Sequence, residues 1–296
     1  MRVIVSLTTL PTRYDNLFCT IESIKNQTIQ VDDIYLCIPK ESVRCSMKYP
    51  KVPDKILQNV RILNVEKDYG PICKIIKTLE IEKDPETIII TLDDDIIYPN
   101  DLIERLVNKS LLYPNSAIGG TGIILGPNIL FSSIISSMSP KWNNIIGFNV
   151  PKTGRDVDIL CGVSGILYKR KFFPEKLDEL LELVELDFDV FKNDDVLLSS
   201  YLGARGVSKK IFLDLPIIKN HKNIKDTFAI SNSRIKFLHS FWKATISCKN
   251  NYNVSSQSDT ITSFQMYDSL LFRIIIIIIV LILLYVSCFG FFLVVK

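Results

Sequence analysis

TIIITLDDDIIYPND, residues 87–101, sets the densest acid cluster of the chain directly after its most apolar run ahead of the C-terminal tail. Residues 87–92 are few, rich in β-branched side chains and apolar at Ile88, Ile89 and Ile90. That pattern predicts a strand buried on both faces, as in a parallel sheet. Asp93, Asp94 and Asp95 then fall at its carboxyl end, where open α/β sheets bind their ligands. If the backbone stays extended through the acids, Asp93 and Asp95 face one side and Asp94 the other. Two carboxylates about 5 Å apart at an effective dielectric of about 20 repel by roughly 3 kcal/mol, so the cluster needs compensation. Mg2+ or Mn2+ would supply it, because hard cations take carboxylate oxygens and fill their other positions with water or phosphate oxygens. A solvated acidic turn is the plainer alternative, and the buried strand ahead of the acids favours the metal.

Working outward, residues 2–7 read as a first strand, followed by a helix with Leu17, Ile21 and Ile24 on one face. Residues 33–38 form a second strand, 40–58 a long polar loop, and 60–65 an alternating third strand. Asp68-Tyr69-Gly70-Pro71 turns into a helix carrying Ile72, Ile75, Ile76 and Leu79. This β-α-β rhythm predicts an α/β fold with a mostly parallel central sheet flanked by helices. Beyond the acids, residues 101–112 read as a helix and 117–125 as a strand interrupted by glycine, while 127–154 show no clear period. Residues 157–168 are small at their centre, which permits close approach of backbone to a ligand or a strand. Leu177, Leu180, Leu181 and Val184 mark an amphipathic helix, a further helix within 187–205 is stopped by Gly203 and Gly206, and 211–215 form a last strand.

The 296 residues suffice for one large α/β domain or two small ones. The hydrophobic share of 47% is inflated by residues 274–295, an uncharged run that opens with six isoleucines. As a helix that run is roughly 33 Å long, enough to cross a bilayer. The amino terminus lacks a secretory signal, since Ser6, Thr8 and Thr9 break its apolar run. The expected organisation is a domain at 1–249, a polar linker at 250–272 and a single-pass transmembrane tail anchor at 273–296, with the domain on the cytosolic side. The Lys-rich stretch 219–249 suits anionic headgroups beside that anchor or plain solvent. A net charge of +3, without basic runs interleaved with aromatics, argues against nucleic acid as a partner. Seven scattered cysteines without a C-x-x-C pair read as reduced, mostly buried thiols.

SLTTLPTR at 6–13, DYGPICK at 68–74, TLDDD at 91–95, LCGVSGILY at 160–168 and NDDVLLSSYL at 193–202 occur in this order across roughly residues 1–215. Together they resemble the GT-A glycosyltransferases of the family 2-like kind. The resemblance implies a Rossmann-like GT-A domain that moves a sugar from a nucleotide-sugar, with UDP-sugar expected, to a hydroxyl of a glycan, lipid or protein. It implies Mn2+ or Mg2+ held by a D-x-D pair against the diphosphate. Asp93 and Asp95 match that pair, with Asp95 as the direct ligand, Asp93 nearer the ribose and Asp94 open to either role. His221 is implied as a further metal ligand. Thr8, Pro11 and Arg13 would lie near the base, Asp68 by the base or ribose, and Lys74 toward the diphosphate.

Inversion needs a base for the acceptor hydroxyl. The resemblance implies Asp195, with Asp194 as the alternative, because the family shows Glu-Asp where this chain has Asp-Asp. Both acids open a helix, where capping and the helix dipole favour them in any case. The rival readings are a retaining transferase, in which Asp195 orients substrate, and a membrane-anchored domain that only binds a sugar or nucleotide.

Overall fold

The chain begins with the alternation that the sequence predicts. In β1 (Val3–Thr8), the side chains of Val3, Val5 and Leu7 point to one face and that of Ile4 to the other. The structure, a computed structural model, describes residues 1–123, 154–185, 193–212, 215 and 219–220. These all belong to one of the two compact units of the chain, residues 1–124 with 143–254. The expected linker, the tail anchor and His221 lie outside the described residues.

After β1 come α1 (Tyr14–Lys25), β2 (Asp33–Pro39), β3 (Glu41–Ser42), β4 (Met47–Lys48), α2 (Asp54–Leu57), β5 (Arg61–Val65) and α3 (Cys73–Ile81). The acidic stretch contributes β6 (Ile88–Thr91) and β7 (Ile96–Ile97), and α4 (Leu102–Leu112), β8 (Ser116–Gly119) and β9 (Gly122–Ile123) follow. Further on are β10 (Arg155–Asp156), β11 (Ile159–Leu160), β12 (Ile166–Lys169), α5 (Asp178–Glu185), α6 (Asp194–Ala204), β13 (Ser208–Ile211) and β14 (Lys219–Asn220).

Eight strands share one sheet in the order β10-β13-β8-β12-β6-β1-β2-β5. β5, β2, β1 and β6 run parallel, as do β8 and β13. β12 runs antiparallel between β6 and β8, and β10 runs antiparallel to β13. The protein is therefore α/β with a mostly parallel central sheet flanked by helices. Val3, Val5 and Leu7 pack with Leu17, Ile21 and Ile24 of α1 and Leu102, Ile103 and Leu106 of α4. On the opposite face Ile4, Tyr35, Cys37, Leu63 and Val65 meet Cys73 of α3. Full burial of each such aliphatic side chain is worth about 1.5–3 kcal/mol. Also on this face, Tyr168 meets Phe173 edge-on at 5.7 Å, and Phe173 stacks on Tyr201 of α6 at 6.2 Å.

Several expectations are corrected. β6 is fully buried, yet it is parallel on one flank only, because β12 pairs along the other with Ile166 opposite Thr91. Residues 40–58 are not a plain loop: β3 and β4 pair as a hairpin, turned by Ser46 at φ 51, and α2 follows. Gly203 does not stop α6, which runs to Ala204 and ends before Gly206 at φ +73. The last strand of the main sheet is 208–211, not 211–215, since Ser208 to Ile211 pair in register with Ser116 to Gly119. In α5 the buried positions are Leu180, Leu183 and Val184, and Leu181 is only half-buried. The five described cysteines are free, but only Cys37 and Cys73 are buried. Among the described residues no helix is long and apolar enough to cross a membrane.

Candidate active site

Register brings the site together. Thr8 of β1 pairs with Cys37 of β2 and Ser6 with Thr91 of β6, so the carboxyl ends of these strands share one rim of the sheet. β12 starts at the same rim, because it runs the other way. The chain does not stay extended through the acids. It turns at Asp94 and Asp95, so the expected sidedness fails: Asp93 faces Lys74, whereas Asp94 and Asp95 both face Arg13.

The turn is built by neighbours. The Asp93 N–H donates to the Tyr98 hydroxyl at 2.8 Å. The Thr20 hydroxyl, buried in α1, reaches the carbonyls of Asp94 at 3.0 Å and Ile96 at 2.8 Å. Asp94 itself is consumed: Thr9 donates to one carboxylate oxygen at 2.6 Å and Arg13 to the other at 2.7 Å. Arg13 also lies 3.5 Å from Asp95. It is delivered there by a turn in which its N–H donates to the Leu10 carbonyl at 3.0 Å, with Pro11 at the position where a fixed φ favours turning.

Lys74 sits in the first turn of α3, which is tied to β1 by the Ser6 hydroxyl donating to the Lys74 carbonyl. Its side chain is 4% exposed and its ammonium bridges Asp93 at 3.0 Å and Asp194 at 2.8 Å. Burial alone would pull this amine down, yet Asp194, Asp93 and Asp195 together hold it well above the ordinary lysine value. Asp195, the next residue of α6, accepts from the Gly162 N–H at 2.9 Å. Burial first and the neighbouring Asp194 second push its carboxyl up to about 8, against the opposing pull of Lys74 and the Gly162 N–H. Asp95 is also raised, by burial and then by Asp94 and Asp93, with Arg13 offsetting part of it.

Two glycines make this approach possible. Gly165, at φ +74, would place a Cβ 2.7 Å from Leu92, so only glycine closes the turn over the end of β6. At Gly162 a Cβ would meet Asp195 Oδ1 at 2.9 Å and Lys74 Nζ at 3.6 Å. Gly162→Ala is therefore expected to displace the Asp195 carboxylate and weaken the hydrogen bond from the N–H of this residue. An Asp195 carboxyl that titrates unchanged by NMR in a folded Gly162→Ala protein would show that the carboxylate had not moved.

Of the residues singled out from the sequence, Asp93, Asp94, Asp95, Arg13, Lys74, Asp194 and Asp195 form one charged network. Thr8 does not join it, because its hydroxyl donates to the Cys37 carbonyl at 2.8 Å. Pro11 is buried and shapes the turn. Both Asp68 oxygens accept backbone N–H groups, from Gly70 at 2.7 Å and Val43 at 2.8 Å. Arg13 is not an ordinary surface arginine, and Lys74 is not solvated. Sequence reasoning missed Thr9, Thr20, Tyr98 and Gly162. Thr9 and Gly162 lie inside the quoted motifs, but composition does not say which hydroxyl or which N–H turns toward an acid.

Asp93 and Asp95 keep 35% and 33% of their side-chain surface open, against 7% for Asp94. Among the described residues no group of three or more His, Cys, Asp or Glu gathers to cage a metal ion. Asp93 and Asp95 are thus the two partly open carboxylates of the triplet that could hold a cation, whose other partners would be water and phosphate oxygens, as is the habit of Mg2+. The backbone of Asn220, the neighbour of His221, pairs with Ile96, one residue from Asp95.

Compared with known proteins, the chain matches no family model. No curated protein matches it significantly.

Proposed function

We propose that the protein is a membrane-anchored, metal-dependent glycosyltransferase of GT-A type that transfers a sugar from a nucleotide-sugar, with UDP-sugar expected, to an acceptor hydroxyl with inversion. The observation that carries this reading is the buried Lys74 ammonium, paired at once with Asp93 and Asp194. One side chain thus joins the acids suited to a diphosphate-bound cation to those suited to proton removal. The apolar run at 274–295 supports the anchor.

Asp195 takes the proton of the acceptor hydroxyl as that oxygen bonds to the anomeric carbon and the bond to the diphosphate breaks. A carboxylate in water is too weak a base for this task near neutral pH, and a proton affinity raised to about 8 corrects that. Gly162 orients it from the backbone. Lys74 keeps the adjacent acids compatible with one another in a buried place, and Arg13 with Thr9 fixes Asp94 so that Asp93 and Asp95 stay presented. When bound, the cation would supply Lewis-acid neutralisation of the departing diphosphate, with Asp95 and Asp93 holding it.

Purified full-length protein is expected to turn over a nucleotide-sugar with Mn2+ or Mg2+ and to lose both turnover and tight donor binding in EDTA. Donor binding of equal strength in EDTA would count against the metal. Product anomers read by NMR separate inversion from retention. Nucleotide binding without turnover across a broad donor panel would leave only the binding role.

A further inference from the structure

Arg44 lies in the hairpin between β3 and β4, and the mechanism above does not use it. The backbone on either side of it is fixed: the Val43 N–H donates to Asp68 at 2.8 Å and the Cys45 N–H to the Ser42 hydroxyl at 3.2 Å. The hairpin is joined to the loop that carries Arg13, because the Tyr49 hydroxyl donates to the Thr9 carbonyl at 2.7 Å. Arg44 is half-buried, and its Nη2 is shut off from solvent without a hydrogen-bond partner among the described residues. A buried donor left unmatched is unfavourable, and more so when it carries charge.

The surroundings say what would match it. Burial first and the like charge of Arg13 second lower the Arg44 pKa, while Asp94 and Asp95 oppose this. Those two carboxylates already face Arg13. A neutral acceptor would satisfy the Nη2 donor but leave the two guanidinium groups repelling each other. An oxyanion does both, and a planar guanidinium suits phosphate geometry.

We infer that Arg44 is a further ligand-binding residue, whose Nη2 donates to a phosphate oxygen of the nucleotide ligand. The nucleotide-sugar reading supplies only the identity of the molecule that bears the phosphate. Oxyanion binding at Arg44 stands without it.

The test is calorimetric titration of the full-length protein, in the presence of Mg2+, with inorganic pyrophosphate and separately with uridine. Arg44→Ala is expected to weaken pyrophosphate binding about 10–100-fold, the range for one charge-assisted hydrogen bond. Uridine binding should be unchanged. If Arg44→Ala does not fold, Arg44→Gln, which keeps most of the stem and removes the charge, is read in the same way. Unchanged pyrophosphate affinity in a folded variant overturns the inference. So does a loss confined to uridine, which would assign Arg44 to the base. Loss of pyrophosphate binding in a protein that turns over no nucleotide-sugar would sink the transferase reading and keep this one. Normal turnover with unchanged pyrophosphate affinity would do the reverse.

Discussion

Asn in place of Asp195 is expected to lower sugar transfer about 10²–10⁴-fold, the usual contribution of a positioned general base. Nucleotide affinity should stay within about twofold, since the lost interaction belongs to the transition state and not to donor binding. The amide is nearly the same shape as the acid and can still accept from the Gly162 N–H, so a fall in rate would report the lost base and not a collapsed site. A pH profile adds an independent check. With the carboxyl pushed up to about 8, transfer by the unaltered protein should rise with pH through neutrality, reach half its maximum near 8 and level off only above that. Asp195→Asn should flatten that limb. A variant that retains turnover would move the base to Asp194 or out of the network.

Lys74→Met should have the largest effect on stability, a loss of about 3–5 kcal/mol, because removing one partner of a buried ion cluster leaves the remaining charges uncompensated. For a domain of this size that lowers the melting temperature by about 6–20 °C. The pH dependence has a definite sign. Folded Asp195 holds its proton to about 8, whereas an unfolded aspartate holds it only to about 4. Between these values the folded chain binds more protons, so this residue makes stability fall as pH rises through the window. Lys74 has the same sign in a higher pH window. Its folded value lies well above the ordinary one, so its contribution is fully present below about 10.5 and is lost only as pH rises beyond that. Without Lys74 the alkaline loss of stability should steepen and start from a lower plateau. Melting curves from pH 5 to 9 that superimpose for both proteins would show that the ammonium does not compensate the acids.

Much of the fold could be read from period and punctuation. The alternation in β1 and the spacing of Leu17, Ile21 and Ile24 name the buried faces without reference to any partner, and those faces are where they were expected. The direction of β12 was not readable, because a short run such as ILYK pairs equally well either way and only the intervening chain decides. Likewise, an acidic triplet after a strand points to a site but not to its wiring. Thr8 and Thr9 are equivalent as letters, and only the end of β1 sets which hydroxyl meets Asp94. Gly162 and Asp195 are 33 residues apart, and no local pattern links a backbone N–H to an acid at that distance. Arg44 sat in a stretch that read as an ordinary polar loop, where side-chain burial leaves no periodic trace.

The reversed course of β12 also governs where the molecule tolerates change. Because Ile166 lies opposite Thr91 while Lys169 lies opposite Ile88, sequence upstream of this strand arrives at the acidic rim and sequence downstream departs from the far one. Lengthening or swapping the segment just before Ile166 would therefore change the surroundings of Asp195, which accepts from the Gly162 N–H. The chain just after Lys169 leaves from the distant rim and returns to the acidic cluster only with Asp194 and Asp195 of α6.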